Sequence, residues 1–192
     1  MDAPRRVSSL DDPWVTEILT TGGVVSAPTD TLLGLLADAQ NSNAVKEVYK
    51  LKGRDENKPP IVLISDIEDL EIFSIIPDAE TTEFLKQYWP GKVTVILPVG
   101  KQFPELSRKS GGIAFRVPND IELQSLLRVT GPLIAPSANP QGKKPAQNSF
   151  EAEEYFGSGV TLYVEGEAKD IKPSSIVSFV TGIKEVIRGE LG

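Results

Sequence analysis

The chain has 192 residues, of which 40% are apolar and 24% charged, a balance typical of one globular domain that buries a core. It contains no cysteine and no histidine, which excludes a disulfide framework, thiolate or imidazole metal sites, and any serine–histidine or cysteine–histidine catalytic pair. Its formal net charge of -7 lacks the basic excess of a general nucleic-acid binder. Any catalysis must therefore use positioning, Lys and Arg charges, a carboxylate or a phosphate-bound metal.

The predicted elements alternate between helix and strand along the chain. Asp12 and Pro13 predict the start of a first helix, and Gly22-Gly23 its end. Further helices are predicted after the cap residues Ser42, Asp66, Asn119 and Ser149, and over residues 82–89. Strands are predicted over residues 24–28, 35–38, 61–65, 93–99, 113–117, 133–135, 161–164, 175–180 and 184–187. This pattern predicts an α/β domain with a mixed sheet and packed helices.

Residues 1–13 are polar, and no apolar run approaches the length of a membrane span. No repeat or low-complexity linker divides the chain. We therefore expect a single domain over residues 1–192, located in the cytoplasm and not in a membrane.

Two polar segments follow predicted strands, where α/β folds place ligand sites. Thr29, Asp30 and Thr31 follow the first strand, and their hydroxyls and carboxylate could bind a polar small molecule or orient a metal. Residues 136–139, Pro-Ser-Ala-Asn, follow a later strand and could form a nest for phosphate oxygens. The alternative for both segments is a polar turn with local side-chain caps, and turn chemistry alone favours it.

Basic residues form the remaining candidates. Four of them lie where a predicted helix enters a loop: Lys50, Lys52, Arg54 and Lys58. They could form a phosphate clamp, or they could be cations that stabilise the C-terminus of the helix. Arg116 stands in an apolar strand, so it needs a structural carboxylate or an anionic ligand if it is buried. Ser174 and Arg188 near the C-terminus are a weaker signal.

In their order along the chain, these segments resemble the YrdC family. The matching residues are Pro28 to Thr31 with Gly34, Lys52 with Arg54, Trp89 to Gly91 with Thr94, Arg116 with Pro118, Ser137 to Asn139 with Gly142, and Ser174, Ser175 and Arg188. The resemblance covers essentially the whole chain. Four positions depart from the family pattern: Leu33 replaces an aromatic residue, Leu63 and Asp120 stand where histidines often occur, and Ser178 replaces a carboxylate.

The resemblance implies a YrdC-like twisted mixed sheet with packed helices and a concave, locally basic ligand cavity. It implies a nucleotidyltransferase that converts L-threonine, bicarbonate and ATP into threonylcarbamoyl-AMP and pyrophosphate, for threonylcarbamoyladenosine in tRNA. It implies Mg²⁺ bound through the phosphates of ATP and no protein-ligated metal. A downstream threonylcarbamoyl transferase complex and weak tRNA binding are further implied partners.

Residue roles come from the same resemblance. Lys52 and Arg54 are expected to be catalytic and to hold the triphosphate. The other expected contacts are Pro136, Ser137, Ala138 and Asn139 to the nucleotide, and Thr31, Arg116, Ser174 and Arg188 to threonine. Two alternatives remain open: an RNA-binding module on the same fold, and a divergent paralogue without synthase activity.

Overall fold

The computed structural model describes residues 5–53, 60–107, 109, 111–170 and 172–191. The strands in this part of the chain are β1 Arg5–Val7, β2 Val25–Pro28, β3 Leu33–Asp38, β4 Ile61–Leu63, β5 Val93–Pro98, β6 Gly112–Arg116, β7 Leu133–Ile134, β8 Leu162–Val164, β9 Ser175–Ser178 and β10 Glu185–Arg188. The α-helices are α1 Pro13–Thr20, α2 Ser42–Lys52, α3 Ala79–Tyr88, α4 Ile121–Thr130 and α5 Ser149–Phe156, with 3₁₀ helices at Ile67–Phe73 and Gly157–Gly159.

All of these strands join one mixed sheet in the order β1-β8-β2-β3-β7-β4-β6-β5-β9-β10. The pairs β1/β8, β8/β2, β4/β6 and β5/β9 are parallel, and the other neighbours are antiparallel. The prediction of a mixed α/β sheet is therefore confirmed. The antiparallel strands β9 and β10 are joined by a short turn, in which the Gly182 N–H donates to the Phe179 carbonyl at 3.0 Å.

The sheet has two buried faces because successive side chains of a strand point to opposite sides. In β3, Leu33, Leu35 and Ala37 belong to the larger core, whereas Leu36 belongs to a second one. Helices α2, α3 and α5 cover the first face, and α1 and α4 cover part of the second. The stripe predicted for α4, Leu123 with Leu126 and Leu127, is fully part of this second core.

Three helix caps lie one residue away from the predicted ones, two of them before and one after. Asn41 caps α2 in place of Ser42, Asp120 caps α4 in place of Asn119, and Asn148 caps α5 in place of Ser149. Each cap oxygen accepts a backbone N–H of the first turn. At each position two cap-forming residues stand side by side, so the pattern does not fix the helix start, and in α4 the second residue of the pair is used.

The second face leaves part of β5, β6 and β9 outside the α1 and α4 contacts. Ile96, Ala114 and Ile176 form a small buried cluster there. Alternation along the same strands places Thr94 and Arg116 on this face, and both are buried. Buried polar side chains on an otherwise apolar sheet face mark it as the place to look for a ligand site.

The larger core predicts a clear loss of stability when its central aromatic contact is removed. Phe115 is 0% exposed and packs edge-to-face on Phe73, with the ring centroids 4.9 Å apart. Phe115→Ala is expected to lower the free energy of unfolding by about 3–5 kcal/mol, because it removes buried area and leaves a cavity. Urea unfolding measures the change.

The control is Ile121→Ala at the start of α4, where the side chain is 82% exposed. It is expected to change the free energy of unfolding by less than about 0.5 kcal/mol. A Phe115→Ala loss as small as that of the control would contradict the core described here.

Candidate active site

A cavity of about 140 Å³ opens on the second face of the sheet. Its wall comes from the β2–β3 loop, the start of β4, the end of β6, the segment after β7, the entry to β9 and the end of β10. The lining residues are Thr29, Thr31, Leu32, Leu33, Gly34, Ile61, Arg116, Ala135, Pro136, Ser137, Pro173, Ser174 and Arg188. The cavity therefore collects polar residues from segments that are far apart in the sequence.

The β2–β3 loop forms one side of the cavity and is capped by its own side chains. Thr29 Oγ1 accepts the Thr31 N–H at 3.1 Å and donates to the Leu32 carbonyl at 2.7 Å. The hydroxyls of Thr29 and Thr31 lie 3.2 Å apart. The two interpretations left open by the sequence thus coexist, because a self-capped turn presents the Thr31 side chain to the cavity.

Arg116 at the end of β6 is held by a buried carboxylate. Its Nη1 lies 2.6 Å from both carboxylate oxygens of Asp30, and the two side chains are 5% and 4% exposed. The Asn119 N–H donates to the same carboxylate at 3.1 Å. The structural partner that the sequence required for Arg116 is therefore Asp30, and the pair joins the β2–β3 loop to β6.

Ser174 and Arg188 form another part of the cavity wall. The guanidinium of Arg188 donates from Nε and Nη2 to the Ser174 carbonyl, at 3.2 and 2.8 Å. The Ser174 hydroxyl lies 2.7 Å from the hydroxyl of Thr94, and both side chains are buried. This arrangement fixes a hydroxyl and a guanidinium next to each other at the cavity wall.

Arg188 carries the uncompensated charge of the described cavity wall. Arg116 is neutralised by Asp30, whereas the guanidinium of Arg188 has a backbone carbonyl and no carboxylate partner among the described residues. Burial lowers the pKa of Arg188, but an arginine remains protonated in proteins. A guanidinium beside a hydroxyl suits a carboxylate or another planar oxyanion.

The segment after β7 is fixed to β3 by two backbone hydrogen bonds. The Leu35 N–H donates to the Pro136 carbonyl at 2.9 Å, and the Ala138 N–H donates to the Leu33 carbonyl at 2.8 Å. Gly34 lies opposite Ser137 in this bridge, and a Cβ on Gly34 would come within 3.3 Å of Thr29 Cγ2. The glycine therefore keeps the two walls of the cavity close together.

Lys52, the last residue of α2, lies beneath this segment and is 3% exposed. Its Nζ donates to the carbonyls of Ser137 and Asn139, the latter at 2.6 Å. The Ser137 hydroxyl donates to Asn139 Oδ1 at 2.6 Å, which fixes the turn internally. Lys52 and residues 136–139 thus form one unit, with a buried positive charge under a polar turn.

A metal held by the protein alone has no obvious ligands here. Within the described ranges, no group of three or more acidic side chains is positioned to bind an ion. Asp30, the carboxylate nearest to the cavity wall, already pairs with Arg116. A divalent ion at this cavity would therefore depend on oxygens that a ligand brings.

Comparison with known proteins adds to this geometry. The sequence profile of the Sua5/YciO/YrdC family, described as "Telomere recombination", matches residues 17–189. The chain belongs to this family. The resemblance inferred from the order of the motifs is thereby confirmed.

Members of the Sua5/YciO/YrdC family resemble the chain over most of its length. The threonylcarbamoyl-AMP synthase of Marinobacter nauticus is 36% identical over 171 residues, which is 86% of this chain and 90% of that protein. The crystal structure of Pyrococcus abyssi Sua5 complexed with L-threonine superposes with a TM-score of 0.78 at 28% identity, and the match covers 91% of this chain and 53% of Sua5. The chain thus spans about half the length of that protein.

Escherichia coli YciO has the same fold, with a TM-score of 0.83 at 24% identity, and the match covers 98% of this chain and 95% of YciO. The YrdC-like twisted mixed sheet expected from the sequence is confirmed by these structures.

The structure brings most of the predicted site residues of this Sua5/YciO/YrdC domain together. Those that line the cavity are Thr31, Arg116, Pro136, Ser137, Ser174 and Arg188. Lys52, Ala138 and Asn139 lie behind the wall, where Lys52 and Asn139 are hydrogen-bonded to each other and Ala138 is buried. Arg54 and Lys58 lie outside the described residues.

The sequence predicts Asp30 only as part of a possible ligand or metal site, and it predicts no role for Thr94. The roles depend on contacts with Arg116 and Ser174, which lie more than 75 residues away in the chain and leave no local sequence signal. Of the departures from the family pattern, Leu33 lines the cavity, and Asp120 caps α4 and forms an ion pair with Lys169 at 2.5 Å.

The longest helix that the structure describes, α2, has 11 residues, and no described helix has the apolar length that a bilayer requires.

The Asp30–Arg116 pair predicts a strong and non-additive effect on stability. Asp30→Ala and Arg116→Ala are each expected to lower the free energy of unfolding by about 3–5 kcal/mol, because each leaves a buried charge without its partner. The double variant is expected to lose less than the sum, with a coupling of about 1–3 kcal/mol. Urea unfolding of the four proteins measures this cycle.

The exposed pair of Lys86 with Glu83 on α3 serves as the control. Glu83→Ala is expected to change the free energy of unfolding by less than about 0.5 kcal/mol, since solvent screens such pairs. Additive losses at Asp30 and Arg116 would show that the two residues do not act as a pair.

Proposed function

We propose that the protein is a threonylcarbamoyl-AMP synthase, a nucleotidyltransferase that uses L-threonine, bicarbonate and ATP. The observation that carries the proposal is the pairing, in one cavity, of a carboxylate-type site at Ser174 and Arg188 with the polar turn of residues 136–139 above Lys52. The first suits an amino acid, and the second suits a nucleotide phosphate. The named activity of the Marinobacter relative and the L-threonine complex of Pyrococcus Sua5 support it.

The reaction forms two bonds, one between the threonine nitrogen and a carbon atom and one between a carbamate oxygen and phosphorus. The threonine amine adds to carbon dioxide derived from bicarbonate and loses one proton, which gives a carbamate. A carbamate oxygen then attacks the α-phosphorus of ATP, and the bond to the β-phosphate breaks, so that pyrophosphate leaves with the bonding electrons. No protein nucleophile takes part, which is consistent with a chain that lacks histidine and cysteine. Proximity and electrostatic stabilisation supply the catalysis.

In this proposal Ser174 and Arg188 bind the carboxylate of L-threonine. Thr31, on the facing wall, contacts the rest of the amino acid. Arg116 lines the same cavity, but its charge is balanced by Asp30, so its main contribution is to position the β2–β3 loop and to offer its remaining donors to the substrate.

The nucleotide lies against Pro136, Ser137, Ala138 and Asn139. Lys52 holds this turn and places a positive charge under it, which favours a phosphate on the other side of the turn. Arg54, two residues beyond the end of α2, is proposed to hold the triphosphate and to stabilise its charge in the transition state. Mg²⁺ would be bound through the phosphates and would share this load.

The product is a mixed anhydride, so it requires an acyl-transfer step that passes the threonylcarbamoyl group on. We propose a transferase complex acting on tRNA as that partner, with weak direct tRNA binding by this chain. An RNA-binding module without turnover is the competing function, and the net charge of -7 disfavours it. The second competing interpretation is a paralogue without synthase activity. The fold shared with YciO is compatible with both competing interpretations.

The test is pyrophosphate release from ATP and Mg²⁺, with L-threonine and bicarbonate omitted one at a time. Release that requires both is the expected result. Lys52→Met is expected to slow release by at least about 100-fold, because the charge under the turn is lost. Arg54→Ala is expected to slow it by a similar factor while the fold is retained.

Lys50→Met is the matched control, since Lys50 lies on the same helix with its side chain 79% exposed. It is expected to leave pyrophosphate release unchanged. No release under any combination of substrates, together with steeply salt-dependent tRNA binding, would overturn the synthase in favour of the RNA-binding module.

A further inference from the structure

Thr94 of β5 is a buried polar residue to which the proposed reaction assigns no role. Its side chain is 0% exposed and lies on the cavity-facing side of the sheet, behind Ser174. A buried hydroxyl without a hydrogen bond is costly, so Thr94 must donate or accept within the protein. The contact that meets this requirement is the 2.7 Å hydrogen bond to Ser174 Oγ.

Either hydroxyl could donate in this hydrogen bond, and the burial of Thr94 favours Thr94 as the donor. Among the described residues Ser174 Oγ is the sole hydrogen-bond partner of the Thr94 hydroxyl, so the Thr94 proton has this one acceptor. If Thr94 donates, the proton of Ser174 is directed away from Thr94. Ser174 lines the cavity, so its proton is then available to a ligand.

The neighbouring arginine points to the charge of that ligand. Arg188 uses Nε and Nη2 on the Ser174 carbonyl, which leaves Nη1 as a donor. Two donors side by side, one of them cationic, complement the two oxygens of a carboxylate.

We propose that Thr94 is a positioning residue that orients the Ser174 hydroxyl as a donor to the carboxylate of the amino-acid substrate. This inference rests on the proposed function and deepens it. It assigns the recognition of the carboxylate to a chain of three groups, on β5, at the entry to β9 and on β10, of which Thr94 never touches the substrate. Arg116, whose charge Asp30 balances, is not assigned this role.

The experiment measures the dissociation constant of L-threonine by calorimetry for the wild type and for Thr94→Val, which removes the hydroxyl but keeps the shape. Thr94→Val is expected to bind L-threonine about tenfold more weakly, because one charge-assisted hydrogen bond is lost or reversed. Binding of L-threoninamide, which has no carboxylate, is expected to change less than about twofold. Thr94→Ser is expected to restore L-threonine binding.

Two controls separate positioning from a general loss of structure. Ser26→Ala removes another fully buried hydroxyl, one that has no partner within the described residues and does not line the cavity, and it is expected to leave binding unchanged. In a Ser174→Ala background, Thr94→Val is expected to cause no further loss, because its effect passes through Ser174. In pyrophosphate release, Thr94→Val is expected to raise the KM for threonine while kcat stays the same.

Each outcome decides a separate question. Unchanged binding of L-threonine by Thr94→Val, or an equal loss for L-threonine and L-threoninamide, overturns the role of Thr94 alone. A wild-type protein that binds no L-threonine overturns the proposed function and this inference together.

Discussion

The buried ion pair of Asp30 with Arg116 is the contact on which the cavity depends. It joins the loop after β2 to the last residue of β6, two segments 86 positions apart in the chain. The Asp30 carboxylate accepts hydrogen bonds from Arg116 and from the backbone N–H of Asn119 in a site that is nearly closed to water, whereas Arg116 Nε has no partner among the described residues. Removing either partner would leave the other as an uncompensated buried charge. The pair therefore fixes the position of the loop relative to β6.

The rest of the site follows from this constraint and from strand alternation. With the β2–β3 loop held in place, Thr31 faces Ser174 and Arg188 across the cavity, while Gly34 allows the segment after β7 to lie against β3. Lys52 then supports that segment from below. Hydrogen bonds within the protein thus hold both halves of the site, as expected for catalysis by positioning.

The sequence predicted helices and strands well where local residue patterns determine them. It failed where contacts with distant parts of the chain determine the structure. The stripe of α4 and the buried strands follow from apolar periodicity alone. β1 was missed because Arg5–Val7 is mostly polar and is held by contacts outside the strand, including Arg5 stacked over Trp14 at 3.6 Å from the ring centroid. Helix starts were displaced by one residue where two cap-forming residues are adjacent.

The same division applies to the site. The motifs identified which residues meet at the cavity, because strand ends and polar turns are local features. They did not show that Arg116 is neutralised while Arg188 is not, or that Thr94 supports Ser174, because these roles depend on three-dimensional partners. The sequence likewise predicted Lys52 as part of a phosphate clamp or as a cation at a helix C-terminus, and not that it is buried under the turn of residues 136–139.

The central claim is that Ser174 and Arg188, not Arg116, bind the carboxylate of the amino-acid substrate. A crystal structure of the protein with L-threonine tests it most directly. The account predicts carboxylate oxygens within hydrogen-bond distance of Ser174 Oγ and Arg188 Nη1, with the Asp30–Arg116 pair intact. A carboxylate bound to Arg116, with Asp30 displaced from it, would contradict the account.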